Sequence, residues 1–157
     1  MIMNEILESY NYNGARSMVL LHEHYFMEFL QTWSKAKREN IMLPITADPD
    51  YESLDKLLNH VCRSARGYMV WMCDKLNLPD PQIEETPQPE LLVKNIDQYT
   101  KHLLETWRVP LANIDEEKFH TPTFKSNWDV EYSVDAMLEH AVMHLIRHEF
   151  QLQNLIG

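Results

Sequence analysis

The stretch that decides the fold runs from Met137 to Leu152 and reads Met-Leu-Glu-His-Ala-Val-Met-His-Leu-Ile-Arg-His-Glu-Phe-Gln-Leu. It contains no glycine or proline, and its leucine, methionine, alanine and glutamate residues favour a helix. Three of the chain's eight histidines, His140, His144 and His148, lie in it, each four residues after the last. Residues four apart lie on one face of a helix, one turn above the other. The spacing therefore predicts neighbouring imidazoles that point toward one place, which is how a helix presents a pair of metal ligands.

The apolar residues of this helix indicate which pair points inward. At about 100° per residue they form one arc: Val134, Met137, Leu138, Ala141, Leu145, Leu152 and Leu155. His148 falls inside the arc, His144 lies on its shoulder, and His140 lies further toward the polar side. The alternative is a set of ordinary core histidines with hydrogen bonds. Because burying two imidazoles without partners is costly, we favour His144 and His148 as a ligand pair.

Composition excludes several classes of function. The formal charge of −10 disfavours nucleic acid as a partner, because such binding depends on lysine and arginine neutralising phosphates. The N-terminus is acidic and only briefly apolar, so it does not predict a signal peptide, and no apolar run approaches membrane-spanning length. Cys62 and Cys73 lie in one predicted helix, too far apart to form a disulfide, and indicate free thiols in a reducing cytoplasm.

The order of apolar stripes and helix breakers predicts an all-α fold. We expect four long helices, at residues 15–37, from 51 or 53 to 76, from 87 or 89 to 107, and from 134 to the C-terminal end. Asp48-Pro49 is typical of a helix start, and Ser133 is suited to cap the last helix. A long loop rich in aromatic residues spans 108–132, and residues 1–13 form a polar lead-in. With no convincing strand, the chain is predicted to be one four-helix-bundle domain over residues 1–157.

Other histidines differ in their suitability as additional ligands. His60 lies at the edge of the apolar arc of the second long helix, and it is the candidate for the third ligand that a metal site needs. His22 and His24 are two residues apart, which makes a poor chelate, so we expect them on the surface or lining a groove. Glu139 and Asp135 are candidates for carboxylates that orient an imidazole, although a solvated face is the commoner role for such charges.

The C-terminal histidine pair carries a resemblance to a known family. The sequence from His144 to Leu152 resembles the C-terminal His-x-x-x-His signature of DinB-like proteins, the DinB/YfiT superfamily. In that family the second histidine is typically followed three residues later by glutamine and an aliphatic residue, as His148 is followed by Gln151 and Leu152. The family's other ligand is a histidine early in the second long helix, and His60 matches that place. By helix order and length the resemblance covers nearly the whole chain.

The chain also departs from the family pattern next to these ligands. Arg147 replaces a second histidine that the family usually has, and Glu149-Phe150 replaces an Arg-Gly pair. His140 is an additional histidine. A pair formed by His140 and His144 therefore remains an alternative to the pair formed by His144 and His148.

The resemblance implies a DinB-like bundle in which His60, His144 and His148 bind a divalent metal ion with a position open to water or substrate. It implies a thiol-dependent S-transferase that acts on a small molecule, with bacillithiol, mycothiol or glutathione as the low-molecular-weight thiol and the metal activating that thiol as a nucleophile. Zn, Ni, Fe and Mn all accept imidazole ligands. The alternative function is a non-catalytic helical-bundle association protein whose metal site is structural or vestigial.

Apolar residues beyond a single helix stripe predict self-association. Phe29, Met69, Val70 and Trp71 extend the apolar surface of the first two long helices. Such an excess often marks an interface. We therefore expect a homodimer built on helix faces.

Overall fold

The computed structural model describes residues 2–157, which are mostly helical, as the sequence predicts. The helices are α1 (Ile2–Glu8), α2 (Asn13–Arg38), α3 (Leu54–Lys75), α4 (Pro89–Lys94), α5 (Ile96–Trp107), α6 (Glu116–His120) and α7 (Val134–Ile156). Strands β1 (Phe124–Lys125) and β2 (Glu131–Tyr132) pair antiparallel, and a 3₁₀ turn spans Pro49–Tyr51.

Side-chain caps set the start of the two helices that carry the histidines. The Ser53 hydroxyl oxygen accepts a hydrogen bond from the Lys56 N–H, and that of Ser133 accepts one from the Ala136 N–H, each at 3.1 Å. Such caps satisfy backbone donors that the first turn leaves free. Asp48 caps the 3₁₀ turn in the same way, and Pro49 occupies its first position. The caps predicted at Asp48 and Ser133 are therefore confirmed.

The expected third helix is divided in two. Its predicted span contains α4 and α5, which are separated at Asn95. The Asn95 amide donates a hydrogen bond to the Leu91 carbonyl at 3.0 Å, and its backbone N–H contacts both the Leu91 and Leu92 carbonyls. An asparagine side chain competes in this way with the regular helical hydrogen bonds, and the Asn95 backbone leaves the helical region with a φ of −119° and a ψ of 26°.

Two segments expected to lack regular structure contain short elements. The polar lead-in forms α1, where Leu7 is buried, and it is anchored just afterwards by the Tyr10 hydroxyl, which donates to the Arg108 carbonyl at 2.6 Å. The long loop contains α6 and the strand pair, so the prediction of no strand is wrong for this segment. Its turn is closed by the Ser126 N–H donating to the Val130 carbonyl at 2.8 Å, and Asp129 there has a positive φ of 65°.

Helix α7 lies at the centre of the packing. It contacts α2 and α3, and α3 also contacts α4 and α5. The buried indoles are hydrogen-bonded: Trp33 donates to the Leu54 carbonyl at 2.7 Å, and Trp107 donates to the Ala65 carbonyl at 2.9 Å. These two bonds join α2 to α3 and α5 to α3, so the core holds the histidine-bearing face of α3 against α7.

The apolar residues that suggested a homodimer lie mostly inside the chain. Phe29, Met69 and Trp71 are buried, and Val70 is half-buried. Their apolar surface is therefore covered without a second copy, and the homodimer stays a prediction. None of the helices within residues 2–157 combines the length and apolar content needed to cross a membrane.

Candidate metal centre

Three histidines from two helices converge on one point. The Nε2 atom of His144 lies 3.0 Å from Nε2 of His60 and 3.2 Å from Nε2 of His148. Ligand atoms of the three all lie within 4.8 Å of one another. Nitrogens bound tetrahedrally to one ion at about 2.0–2.1 Å are about 3.3 Å apart. The donor set and its spacing therefore fit a single divalent ion.

The helices explain this convergence. His144 and His148 lie one turn apart on the buried side of α7, and His60 lies about two turns after the Ser53 cap of α3. Because α3 packs on α7, its imidazole meets the pair from the opposite side. The structure thus brings together the three residues that the sequence and the family resemblance name.

Hydrogen bonds at the outer nitrogens orient two of the rings. Nδ1 of His60 lies 3.0 Å from Oδ2 of Asp50, and the other oxygen of that carboxylate accepts from Arg63 at 2.8 Å. Nδ1 of His148 lies 3.1 Å from Oε1 of Gln151. Each oxygen accepts the Nδ1 proton, which leaves the Nε2 lone pair directed at the cluster centre. The Nε2 lone pairs of His60 and His148 therefore point toward one place, as two ligands of a single metal ion must.

The environment keeps His144 and His148 uncharged. Burial, together with the charges of the neighbouring imidazoles and Arg147, lowers the pKa of His144 to about 2. Burial also lowers the pKa of His148 to about 4, assisted by the charges of His60 and Arg147 and opposed by the hydrogen bond that Nδ1 donates to Gln151. Neutral imidazole is the form that ligates metal. Both side chains are therefore ready to bind an ion at neutral pH.

One side of the cluster opens into a cleft. The cleft has a volume of about 450 Å³, and His60 and His144 form part of its wall. On the other side the Tyr51 hydroxyl lies 3.4 Å from Nε2 of His148. A ligand in the cleft can thus reach the point where the three nitrogens meet.

His140 does not join the cluster. Its ring stacks on Trp128 at a centroid distance of 5.2 Å and meets the ring of Tyr68 at 5.4 Å. The geometry pairs His144 with His148 rather than with His140. Burial lowers the pKa of His140 too, with Arg147 adding to the effect.

The carboxylate that orients a ligand is not one of the two expected from the sequence. Glu139 is exposed, and Asp135 lies 4.0 Å from Nδ1 of His120, away from the cluster. Asp50 has this role instead. Asp50 directly follows the Asp48-Pro49 helix start. Whether its carboxylate reaches His60 depends on how that turn lies against α3, which the sequence does not show.

His22 also departs from expectation. It is buried, 1% exposed, and its ring stacks on Trp107 at a centroid distance of 3.6 Å. The prediction of a surface or groove position is wrong because the first long helix turns this residue toward α5. His24 is exposed.

The cysteines are unsuited to act as nucleophiles. Cys62 and Cys73 are free and buried on α3, as the sequence predicts. Burial raises the pKa of both thiols, that of Cys73 to about 11. They stay protonated at neutral pH, so neither supplies a thiolate nucleophile.

Known proteins offer no further guide to this site. Comparisons with protein-family models, curated proteins and solved structures gave no match. The histidine cluster and the cleft beside it are the features of the structure that indicate a function.

Proposed function

We propose that this chain is a DinB-like divalent-metal-binding protein that activates a thiol for S-transfer to a small-molecule substrate. The observation that carries the proposal is the meeting of the Nε2 atoms of His60, His144 and His148, with distances of 3.0 and 3.2 Å to that of His144. The resemblance of the His144–Leu152 sequence to the family signature supports it independently of the geometry.

The packing supports the proposed DinB-like four-helix bundle. Helices α2, α3 and α7 contact one another, and α5 packs on α3. These four would form the bundle, with α4 leading into α5. The ligands come from the second and fourth of them, which is the placement that the family resemblance implies.

The side chains around the cluster have separate roles in this proposal. His60, His144 and His148 would hold the ion, while Asp50 and Gln151 fix the orientation of two rings. A divalent ion at such a centre supplies one thing, a lower pKa for a coordinated thiol, which then ionises at neutral pH. Three neutral ligands leave the ion's charge uncompensated, which favours the anionic thiolate. Zn, Ni, Fe and Mn all remain candidates.

The cleft provides what a substrate needs beside such a centre. It reaches two of the three imidazoles, and its wall is mostly apolar, so a bound substrate would displace water from the reacting group. The Tyr51 hydroxyl lies next to His148, on the side of the cluster away from the cleft. It is placed to hydrogen-bond a group bound at the cluster. None of the chain's own thiols competes for this role, because both are buried and protonated.

Thiol access to the centre can be measured in cobalt-substituted protein. Untagged protein loaded with Co²⁺ is titrated with N-acetylcysteine, and N-acetylserine serves as the matched ligand with a hydroxyl in place of the thiol. We expect a sulfur-to-cobalt charge-transfer band with the thiol alone. In His148→Ala the band should be lost, because one ligand of the ion is removed.

The alternative function makes the opposite prediction. In a non-catalytic association protein with a structural site, cobalt would bind without an exchangeable position. N-acetylcysteine would then produce no new band in the wild-type protein. That result would overturn the thiol-activating function while leaving metal binding in place.

A further inference from the structure

A second cleft lies behind the metal centre, on the side away from the first cleft. It has a volume of about 480 Å³ and opens between the segment 41–46 and the C-terminal end of α7. Leu57 and Leu152 line it with buried side chains, and Leu155 lines it while remaining 37% exposed. The second cleft is therefore an apolar hole at the surface of the chain.

The segment 41–46, which forms one wall of this cleft, carries two apolar side chains that lie open to solvent. Its sequence is Ile-Met-Leu-Pro-Ile-Thr, in which Ile45 is fully exposed and Met42 is 85% exposed. Pro44 and Thr46 line the cleft on either side of Ile45, so the isoleucine is directed away from the cleft of its own chain. A single exposed apolar residue is ordinary, but two of them beside an apolar hole mark a binding surface.

Charge at this surface is low for so acidic a protein. The two longest stretches without a charged side chain are residues 40–47 and 150–157, and both contribute to the second cleft. Asp48 is the one charged residue of its lining within the described chain. Lys37 and Asp55, which border the same segment, are paired with each other at 2.6 Å. Two molecules with a formal charge of −10 repel each other, so a face with few charges is where two copies approach at least cost.

This surface is complementary to itself. In a two-fold dimer the same patch of each copy meets, and a contact made by one chain is repeated by the other. Each copy has one knob, Ile45, and one hole, the second cleft, so a single association buries both knobs and fills both holes. A small molecule in the cleft would leave Ile45 in water. A second copy of the chain accounts for both features.

We propose that this surface joins two copies of the chain, with Ile45 of each copy seated in the second cleft of the other. The contact lies behind His148, because Tyr51 and Gln151 line the second cleft and both contact that imidazole. The first cleft, on the other side of the histidines, stays open in such a dimer. The contact needs neither metal nor substrate, so it is independent of the proposed function.

Sedimentation equilibrium of the full chain, treated with EDTA, measures this association. Ile45→Lys should weaken dimerisation by about 100-fold or more, because each dimer loses two buried isoleucines. Its full exposure in the single chain means that the substitution leaves the fold intact. Leu155→Glu places a carboxylate in the hole and should weaken dimerisation to a similar extent. Met143→Lys is the control, since Met143 is 56% exposed on α7 and does not line the second cleft, and it should dimerise as the wild type does.

A mixture of the two variants tests the pairing of knob and hole. In their heterodimer one contact is that of the wild type, because the Leu155→Glu chain keeps its isoleucine knob and the Ile45→Lys chain keeps its apolar hole. The other contact brings the new lysine to the new glutamate. The mixture should therefore dimerise at least about tenfold more tightly than either variant alone. A mixture that associates no better than its components would contradict this pairing.

Other outcomes would overturn the inference in distinct ways. A wild-type chain that stays monomeric at millimolar concentration has no such contact, and unchanged dimerisation of Ile45→Lys would place the contact elsewhere. A dimer that forms only after zinc is added would be held by the metal rather than by this surface. If the wild type stays monomeric and binds the neutral probe N-phenyl-1-naphthylamine, and Leu155→Glu abolishes that binding, the occupant of the second cleft is a small molecule.

Discussion

A buried histidine outside the metal centre should make stability depend on pH. His22 is stacked on Trp107, and within the described part of the chain neither of its ring nitrogens has a hydrogen-bond partner. Burial lowers the pKa of His22 from 6.5 to about 3. Replacing it with leucine, an apolar side chain of similar volume, removes the titrating group and both unsatisfied nitrogens.

The sign and size of this pH effect on the free energy of unfolding follow from proton linkage. Below pH 6.5 the unfolded chain protonates His22 while the folded chain does not, so the free energy of unfolding falls as the pH drops from 6.5 toward 3. Between pH 7 and pH 5 this residue accounts for a loss of about 2 kcal/mol, rising to about 4 kcal/mol at pH 3. Above pH 7 the effect vanishes, because His22 is neutral in both states.

Urea unfolding of metal-free protein at pH 7 and pH 5 measures this effect. The wild type should lose about 2 kcal/mol more than His22→Leu over that interval. At pH 7 the variant should be no less stable, since an unsatisfied buried nitrogen costs about 1–3 kcal/mol. His24→Leu, an exposed position on the same helix, is the control and should keep the wild-type dependence. Equal pH dependence in wild type and His22→Leu would refute the reasoning.

Three further predictions concern the metal centre and self-association. Asp50→Asn should weaken zinc binding about 10–100-fold in a chelator competition titration, because the His60 ring loses its carboxylate acceptor. Asp55→Asn is the control. Equal zinc affinities of Asp50→Asn and the wild type would exclude this role for Asp50. Zinc at a free concentration 100 times its dissociation constant should raise the free energy of unfolding by about 2.7 kcal/mol in urea titrations of the wild type, and His144→Ala should abolish the gain. Light scattering should give a dimer mass, and Phe150, 60% exposed on α7, is an apolar side chain available for such a contact; a monomer mass at high concentration would exclude the dimer.

Helices α2, α3 and α7 were predictable because each carries an apolar stripe at helical spacing. The α7 sequence has apolar residues at helical spacing and a Ser133 cap, and its predicted start at residue 134 matches the structure. The pair of His144 and His148 follows from the same periodicity, since the arc that is buried also turns these rings inward. The place of His60 opposite them needed the family resemblance, because nothing local to α3 shows which helix it faces.

Two of the features that sequence reasoning missed, the roles of Asp50 and His22, depend on contacts between separate elements. Asp50 reaches His60 only because the 3₁₀ turn packs on α3, and His22 is buried only because α5 brings Trp107 against it. The division at Asn95 arises because its amide side chain competes with the backbone for a helical hydrogen bond. Helix propensity averaged over many residues does not reveal a single such residue. The first two are tertiary effects and the third is local, and a hydrophobic pattern encodes none of them.

The metal content of protein purified without a tag or chelating column tests the central claim most directly. Wild-type chain should retain about one equivalent of a divalent metal, as a three-histidine centre requires. His148→Ala should lose it, whereas His140→Ala should keep it, because the structure places His140 against Trp128 and outside the cluster. If His140→Ala abolished metal binding while His148→Ala left it intact, the account of the centre would be contradicted.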